Sequence, residues 1–291
     1  MRNILITGAS GFVGTCVIRE LLKDEQVNSV FAVLNKSTLH ADLTDKRIKT
    51  ISMNLLEPWS LSSNIDQVYN FAADGTYAPY SIESSELFEK ISEQAIRFSI
   101  KKEASLFQSS SGGAEKNQVK IDNRLYHFAN ARKNVERRIL ESDLDEKILF
   151  QIGRLYSFIG PTLYKKKQYM VNQFLQNASE GKNIVITGRA SSRRTYLYET
   201  DMANWIMEIS KSKLSGLWNI SGYEKVSIQE IASHIGHIYD VGIEYLPLET
   251  EPSDYFPENM SKEQIFGLSQ SISWKEGLEL TAKWISRNKG K

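Results

Sequence analysis

The sequence predicts an α/β fold: a doubly wound parallel sheet followed by a smaller C-terminal α/β lobe. Three observations predict it. Short apolar runs alternate with helical stretches through the first half, a glycine-rich turn directly follows the first run, and the pattern loosens after Gly160-Pro161. Strands buried on both faces read as near-continuous apolar runs, and their alternation with helices implies parallel crossovers.

The runs at 4–7, 30–34, 48–53, 68–72, 106–109 and 148–153 are the expected strands of the sheet. Shorter strands and helices follow, among them 183–187, 201–211, 217–220, 227–236 and 274–287. The expected division is a dinucleotide-binding domain over 1–160 and a substrate lobe over 161–291, with some later segments returning to the first domain. No repeat or low-complexity tract interrupts this order.

Composition narrows the partner. Lys and Arg number 36 against 35 Asp and Glu, so no global field recruits nucleic acid or an anionic membrane, and a small molecule is the expected ligand. The densest basic run, Lys165-Lys166-Lys167, reads as a solvated loop. Cys16 is the single cysteine, and the four histidines are scattered at His40, His127, His234 and His237, so neither a disulfide framework nor a metal site is expected. Arg2 is the only charged residue before the first apolar run, no signal-cleavage pattern follows, and no apolar run reaches the roughly 20 residues of a membrane helix. A cytoplasmic protein is the expectation.

The first strand runs into Gly8-Ala9-Ser10-Gly11-Phe12-Val13-Gly14, after which Val17, Ile18, Leu21 and Leu22 continue at helical spacing. Gly8 suits a tight turn, Gly11 a close approach of pyrophosphate to amides at a helix N-terminus, and Gly14 close packing of helix on sheet. Strand, glycine triplet and helix in this order point to a Rossmann-like dinucleotide site that includes Ser10, Phe12 and Val13. The second strand ends Leu34-Asn35-Lys36-Ser37, where an acid would read both ribose hydroxyls of NAD. The missing acid and the charge of Lys36 lean toward NADP, with NAD the alternative.

The fingerprint Thr7 to Gly14 resembles that of the extended short-chain dehydrogenase/reductases, the NAD(P)-dependent epimerases, dehydratases and reductases of nucleotide sugars. The resemblance extends over almost the whole chain. Asn54-Leu55 stands where that family places an acid beside adenine, Phe71-Ala72-Ala73 matches its motif along the cofactor, and 153–161 resembles the segment leading into the substrate lobe. Arg194-Thr195-Tyr196-Leu197-Tyr198 with Asp201 is similar to a motif whose arginine meets the sugar-nucleotide diphosphate, and Gly277-Leu278, Thr281 and Trp284 fit the closing helix. The resemblance implies Arg194 and Tyr156 as substrate-binding residues, a nucleoside-diphosphate sugar as partner, and a homodimer formed through helices over 86–101 and 124–141.

It also locates the chemistry. Members use a strand-end serine or threonine, a tyrosine, and a lysine one helical turn later whose charge favours the phenolate and holds the nicotinamide ribose. Ser111 in Ser109-Ser110-Ser111-Gly112 matches the hydroxyl. Gly112 and Gly113 stand where the 4,6-dehydratases carry acids, which disfavours that reaction.

The tyrosine and lysine positions fall on Phe128 and Arg132, with Glu136 as the usual acid after them. A second register pairs Tyr126 with Asn130, but a two-residue shift turns the pair by about 200° around a helix. Leu125, Phe128, Val135 and Ile139, with Arg132 between them, form the more apolar stripe, which favours Phe128 and Arg132 toward the site. Arg132 then keeps a cation for the cofactor ribose while the phenol is gone; Ser111, Arg132 and a displaced Tyr126 are the candidate catalytic residues. The leading expectation is an NAD(P)-dependent oxidoreductase or epimerase acting at a sugar carbon; the alternative is a weakened relative that binds dinucleotide or sugar nucleotide as a sensor or structural ligand.

Overall fold

The computed structural model describes residues 1–73, 80–115, 124–142, 148–164, 169–246 and 253–288, the side chain of Arg124 excepted. Lys116 and the run Lys165-Lys166-Lys167 lie outside the described residues. The chain forms two compact units. The first comprises 1–155 and 203–219, the second 156–202 and 220–291, so the division falls after Leu155 rather than after Gly160.

The first unit is built on a seven-stranded sheet of β1 (Arg2–Thr7), β2 (Val27–Leu34), β3 (Ile48–Ser52), β4 (Gln67–Asn70), β5 (Ser105–Ser111), β6 (Phe150–Leu155) and β10 (Gly216–Ile220). Its order is β10-β6-β5-β4-β1-β2-β3, and the pairings from β3 to β6 are parallel. The six-strand portion therefore reads 3-2-1-4-5-6, the doubly wound order whose ligand crevice opens at the strand carboxyl ends where the winding reverses, here between β1 and β4.

Helix α1 (Phe12–Leu21) follows β1 directly, and α2 (Ile82–Lys102) and α3 (Arg124–Ser142) flank β5 in the chain. α2 starts at Ser81, whose hydroxyl accepts the Ser84 amide at 3.1 Å, and stops where Glu103 turns left-handed at φ 52°. One face of the sheet, including Leu5, Val68, Leu106, Phe150 and Ile152, buries itself against Phe88, Ile91 and Ala95 of α2 and Ala131, Val135 and Ile139 of α3. Each such aliphatic side chain contributes about 1.5–3 kcal/mol of burial. The stripe expected on α3 is trimmed at its start: Leu125 is 47% exposed, Phe128 is half-buried, and the helix joins the sheet core from Ala131 onward.

The second unit carries a three-stranded sheet of β7 (Ser157–Ile159), β9 (Arg193–Tyr198) and β11 (Lys225–Ser227), ordered β11-β9-β7, and a two-stranded pair of β8 (Ile184–Ile186) and β12 (Ile243–Tyr245). Helices α4 (Met170–Ser179), α6 (Ile228–Tyr239) and α8 (Trp274–Arg287) share its core, and α7 (Ser261–Phe266) precedes α8. Helix α5 (Glu199–Lys211) starts in this unit and ends in the first.

The orientation of α3 decides which residues meet at the site, and stability tests it. Ile139→Ala removes a side chain with no exposure and is expected to cost about 2–5 kcal/mol in a denaturant titration. Arg137→Ala, on the exposed side, stays within about 0.5 kcal/mol. Equal losses at both positions would contradict this orientation.

Candidate active site

The glycine turn is shaped by backbone contact. Gly8 sits at φ +65°, and a β-carbon there would lie 2.6 Å from the Phe71 carbonyl carbon. A β-carbon on Gly14 would overlap the Gly8 carbonyl oxygen and stand 2.9 Å from the Ala9 α-carbon. Neither position has room for a side chain. The Gly11 amide donates to the Gly8 carbonyl at 2.9 Å, and Gly11 caps α1 with no side-chain bond. No acid lies in the first turn of α1, and Gly8 and residues 10–13 stay partly accessible, so the positive end of the helix is open to an anion. A cradle of this form fits the pyrophosphate of a dinucleotide.

Polar side chains hold the neighbouring strand ends. Buried Thr7 donates through its hydroxyl to Asn70 Oδ1 and accepts the Ala72 amide at 3.3 Å. Asn70 Nδ2 donates to Gln108 Oε1 at 2.8 Å, and the Ser109 hydroxyl donates to the Asn70 carbonyl at 2.9 Å. Phe71, Ala72 and Ala73 therefore lie beyond β4 rather than within it, with Ala72 buried and Ala73 exposed.

At the end of β2, Asn35 and Lys36 are exposed, and the hydroxyls of Ser10 and Ser37 meet at 2.6 Å, tying the glycine turn to this loop. Ser37 is a site neighbour that no motif marked. Asn54 is exposed and its Oδ1 accepts the Leu56 amide at 3.1 Å, while Leu55 packs on the sheet core.

Ser111 is the last residue of β5, and its Oγ accepts the Gly113 amide at 3.2 Å as the chain enters a single 3-10 turn, Gly112–Ala114. Phe128 faces the same place. A β-carbon built on Gly113 would stand 3.4 Å from Phe128 Cε1 and 3.5 Å from Ser111 Oγ. Tyr126 is turned elsewhere and lies edge-on to His127 at 5.5 Å between ring centroids.

Arg132 is 8% exposed, and its guanidinium lies over Phe88 at 4.0 Å and over Phe128 at 3.6 Å from the ring centroids. A guanidinium stacks on aromatic faces and stays charged, so this position holds a fixed cation between two rings. One turn on, buried Glu136 accepts Ser110 Oγ at 2.6 Å and a two-pronged contact from Arg154 at 3.0 and 2.7 Å, joining α3 to β5 and β6.

In the second unit, Arg194 lies on β9 and donates to the carbonyls of Arg193 and Ser253. Burial lowers its pKa, yet a guanidinium remains charged at neutral pH. Tyr255 bridges to Arg194, and its ring, tilted, meets that of buried Tyr156 at 5.2 Å, so one tyrosine flanks the arginine and a second packs behind it. Tyr255 was not marked by any sequence pattern. Asp201 has a structural role: its Oδ2 accepts the Ser271 and Ile272 amides at 3.0 and 2.9 Å, and burial raises its pKa.

The 3-2-1-4-5-6 sheet and its glycine cradle define the class of dinucleotide-binding α/β proteins. Residues 4–221 match the NAD dependent epimerase/dehydratase family, and the chain belongs to it. The family's dinucleotide is NAD, and its members are enzymes of nucleotide-sugar chemistry. The chain is 24% identical over 317 residues to the UDP-N-acetyl-alpha-D-glucosaminuronate decarboxylase of Bacillus cytotoxicus, covering 98% of each chain. It is 20% identical over 308 residues to UDP-glucuronic acid decarboxylase 1 of Danio rerio, covering 98% of this chain and 73% of that protein. The crystal structure of UDP-glucose 4-epimerase from Thermotoga maritima, with UDP-glucose, shares the fold at a TM-score of 0.83 and 19% identity, covering 98% of this chain and 99% of the other.

The cradle predicts a graded response to added β-carbons. Gly14→Ala is expected to lose about 3 kcal/mol or more in denaturant, since the clash is with backbone. Gly188→Ala, which meets nothing within 4 Å, stays within about 0.5 kcal/mol. Indifference to both changes would remove the close approach of α1 to the Gly8 carbonyl.

Proposed function

We propose that this chain is an NAD(P)-dependent oxidoreductase or epimerase that exchanges hydrogen at a sugar carbon of a nucleoside-diphosphate sugar. The observation that carries the reading is the backbone cradle of Gly8, Gly11 and Gly14 in a chain that also keeps a strand-end Ser111 and a tyrosine-flanked Arg194. The bound dinucleotide supplies the acceptor or donor of two electrons and a hydrogen. The protein binds, orients and moves the proton.

In this reading the amides at the start of α1 hold the pyrophosphate, with Ser10, Phe12 and Val13 along it, and Phe71, Ala72 and Ala73 border the cofactor. Asn35, Lys36, Asn54 and Leu55 surround the adenosine end. Arg132 presents a cation to the nicotinamide side, Ser111 orients the reacting oxygen, and Arg194 with Tyr156 takes the sugar nucleotide. That every named relative above acts on a UDP-sugar supports an enzyme over a ligand sensor.

Calorimetric titration with NADH, NADPH and a panel of UDP-, TDP-, GDP- and CDP-sugars, followed by nicotinamide absorbance, tests this. Gly11→Asp is expected to abolish dinucleotide binding in a folded protein, because a carboxylate meets the pyrophosphate at the helix N-terminus. Arg194→Ala is expected to weaken the sugar nucleotide roughly ten- to a hundredfold and leave the dinucleotide unchanged. Unaltered dinucleotide affinity in Gly11→Asp, or equal losses for both ligands in Arg194→Ala, would discard these assignments. Tighter NADPH binding that Lys36→Ala abolishes would give Lys36 the 2′-phosphate; tighter NADH binding leaves it a solvated loop lysine.

A homodimer and a cytoplasmic location complete the reading. No helix among the described residues is long and apolar enough to cross a membrane. Ile82 and Ile100 of α2 and Leu125 and Leu140 of α3 are each 45–51% exposed, an apolar set on the helices where the family resemblance places the dimer. Light scattering is expected to give twice the chain mass, and Leu125→Lys with Leu140→Lys to halve it. A monomeric wild-type protein at micromolar concentration would reject the dimer.

A further inference from the structure

Hydrogen exchange at an alcohol carbon needs a group that takes and returns the hydroxyl proton, and Phe128 offers none at the position where the family resemblance expects a phenol. Among the described residues, the neighbouring groups do not fill the gap. Arg132 stays protonated between its two rings. Glu136 is committed to Ser110 and Arg154, and the Glu115 carboxylate stands 4.0 Å from the same Arg154. Tyr126 and His127 meet edge to face, and Tyr126 is turned away from Gly113 by the helix.

We propose that Tyr80 supplies this phenol, its ring seated on Phe128 beside Ser111. The inference rests on the oxidoreductase or epimerase reading. Tyr80 and Phe128 pack edge to face, 5.0 Å between centroids and 70° between planes. The same Phe128 ring carries the Arg132 guanidinium at 3.6 Å, and its edge and the Ser111 hydroxyl lie 3.4 and 3.5 Å from one point, where a β-carbon on Gly113 would stand. Phenol, cation and serine are thus gathered around one ring, although they come from three separate stretches of chain.

The backbone at Tyr80 supports the assignment. Its φ is 69°, a left-handed conformation that large side chains rarely adopt and that persists where the surroundings impose it, often at functional sites. Tyr80 directly precedes Ser81, the residue that caps α2, so a regular helix end fixes its position. A tyrosine before a cap commonly packs back on the helix four positions inside, which here is Ser85; instead the ring goes to Phe128 and remains 45% exposed, accessible to a ligand.

In the oxidising direction, a bound oxidised dinucleotide would take up the hydrogen and both bonding electrons of the sugar carbon. The hydroxyl proton passes to the Tyr80 oxygen, which enters the step as the phenolate. A ketone, a reduced dinucleotide and a neutral phenol result, and the reducing direction returns hydrogen and proton by the same route. Ser111 holds the reacting oxygen, and Arg132 supplies the neighbouring positive charge.

Two measurements test Tyr80. Tyr80→Phe is expected to lower the rate of hydrogen exchange with the panel's active sugar nucleotide about a hundredfold or more, the usual span for losing a positioned acid/base, with dinucleotide affinity unchanged. Adding Phe128→Tyr to that variant moves the phenol to the adjoining ring and is expected to recover at least a tenth of the rate. Tyr80→Cys provides a reading independent of turnover, because Cys16, the only native cysteine, is buried. Dinucleotide and sugar nucleotide together are expected to slow labelling of that thiol at least tenfold. Full activity in Tyr80→Phe, loss of activity in Tyr126→Phe instead, or labelling indifferent to bound ligands overturns the proposal while leaving the enzyme reading in place. Failure of the wild-type protein to bind any panel member overturns both.

Discussion

The contact between the Gly14 α-carbon and the Gly8 carbonyl is the constraint on which the first unit depends. With no β-carbon between them, α1 can start directly at the end of β1, and its first turn, partly accessible, carries no acid. The same crowding fixes the other side of the turn, where the Phe71 carbonyl lies against Gly8 and the Ala72 amide bonds to Thr7. A helix N-terminus beside the β1–β4 switch point is the physical definition of an anion site in this sheet order. The turn therefore couples a packing demand and a binding capacity in the same three glycines.

Beyond the turn, polar contacts rather than apolar ones set the carboxyl ends of the strands. Thr7, Asn70 and Gln108 form a buried chain across β1, β4 and β5, and Ser110, Glu136 and Arg154 tie β5 to α3 and β6. Such groups cost free energy on burial unless every partner is supplied, so their value lies in fixing one arrangement as much as in stability. Removing one member of the Glu136–Arg154 pair would leave a buried charge unmatched, at about 3–5 kcal/mol. Ser111 follows Ser110 directly, and Phe128 and Arg132 lie two turns and one turn before Glu136. The ion pair thus holds the helix bearing Phe128 against the strand bearing Ser111.

Much of this was legible in the sequence because it follows from local rules. Apolar runs gave the strands of the sheet, and strand, glycines and helix in order gave the cradle. What escaped was what local pattern does not encode. Residues 71 and 72 read as strand by apolarity, yet β4 stops at Asn70, where the Thr7 bonds take over the backbone. Leu125 shares the periodicity of the α3 stripe but finds no core beneath it. A return of later segments to the first unit was expected, but not that 203–219 is the segment that returns; the Ser10–Ser37 contact and the tilted packing of Tyr255 on Tyr156 likewise join residues far apart in sequence. Tyr80 was silent for a further reason: its left-handed backbone belongs to a residue type that does not announce such a turn.

Phe128 and Arg132, at the positions where the family resemblance expects a tyrosine and a lysine, form one physical unit. A lysine at the second position presents a flexible point charge, whereas an arginine has a planar face that needs a surface to lie on. Phe88 and Phe128 provide two such surfaces, and a hydroxyl on the Phe128 ring is not needed for that contact. Once Phe128 serves as the arginine's platform, its edge and remaining surface are available to Tyr80, whose phenol then enters the site from the start of α2. The cation and the proposed proton-carrying group, which the family resemblance places one turn apart on a single helix, are here divided between α3 and the residue before the cap of α2, and joined through an aromatic ring. That division leaves the proton chemistry dependent on how the start of α2 is held, a dependence that a tyrosine on α3 would not have.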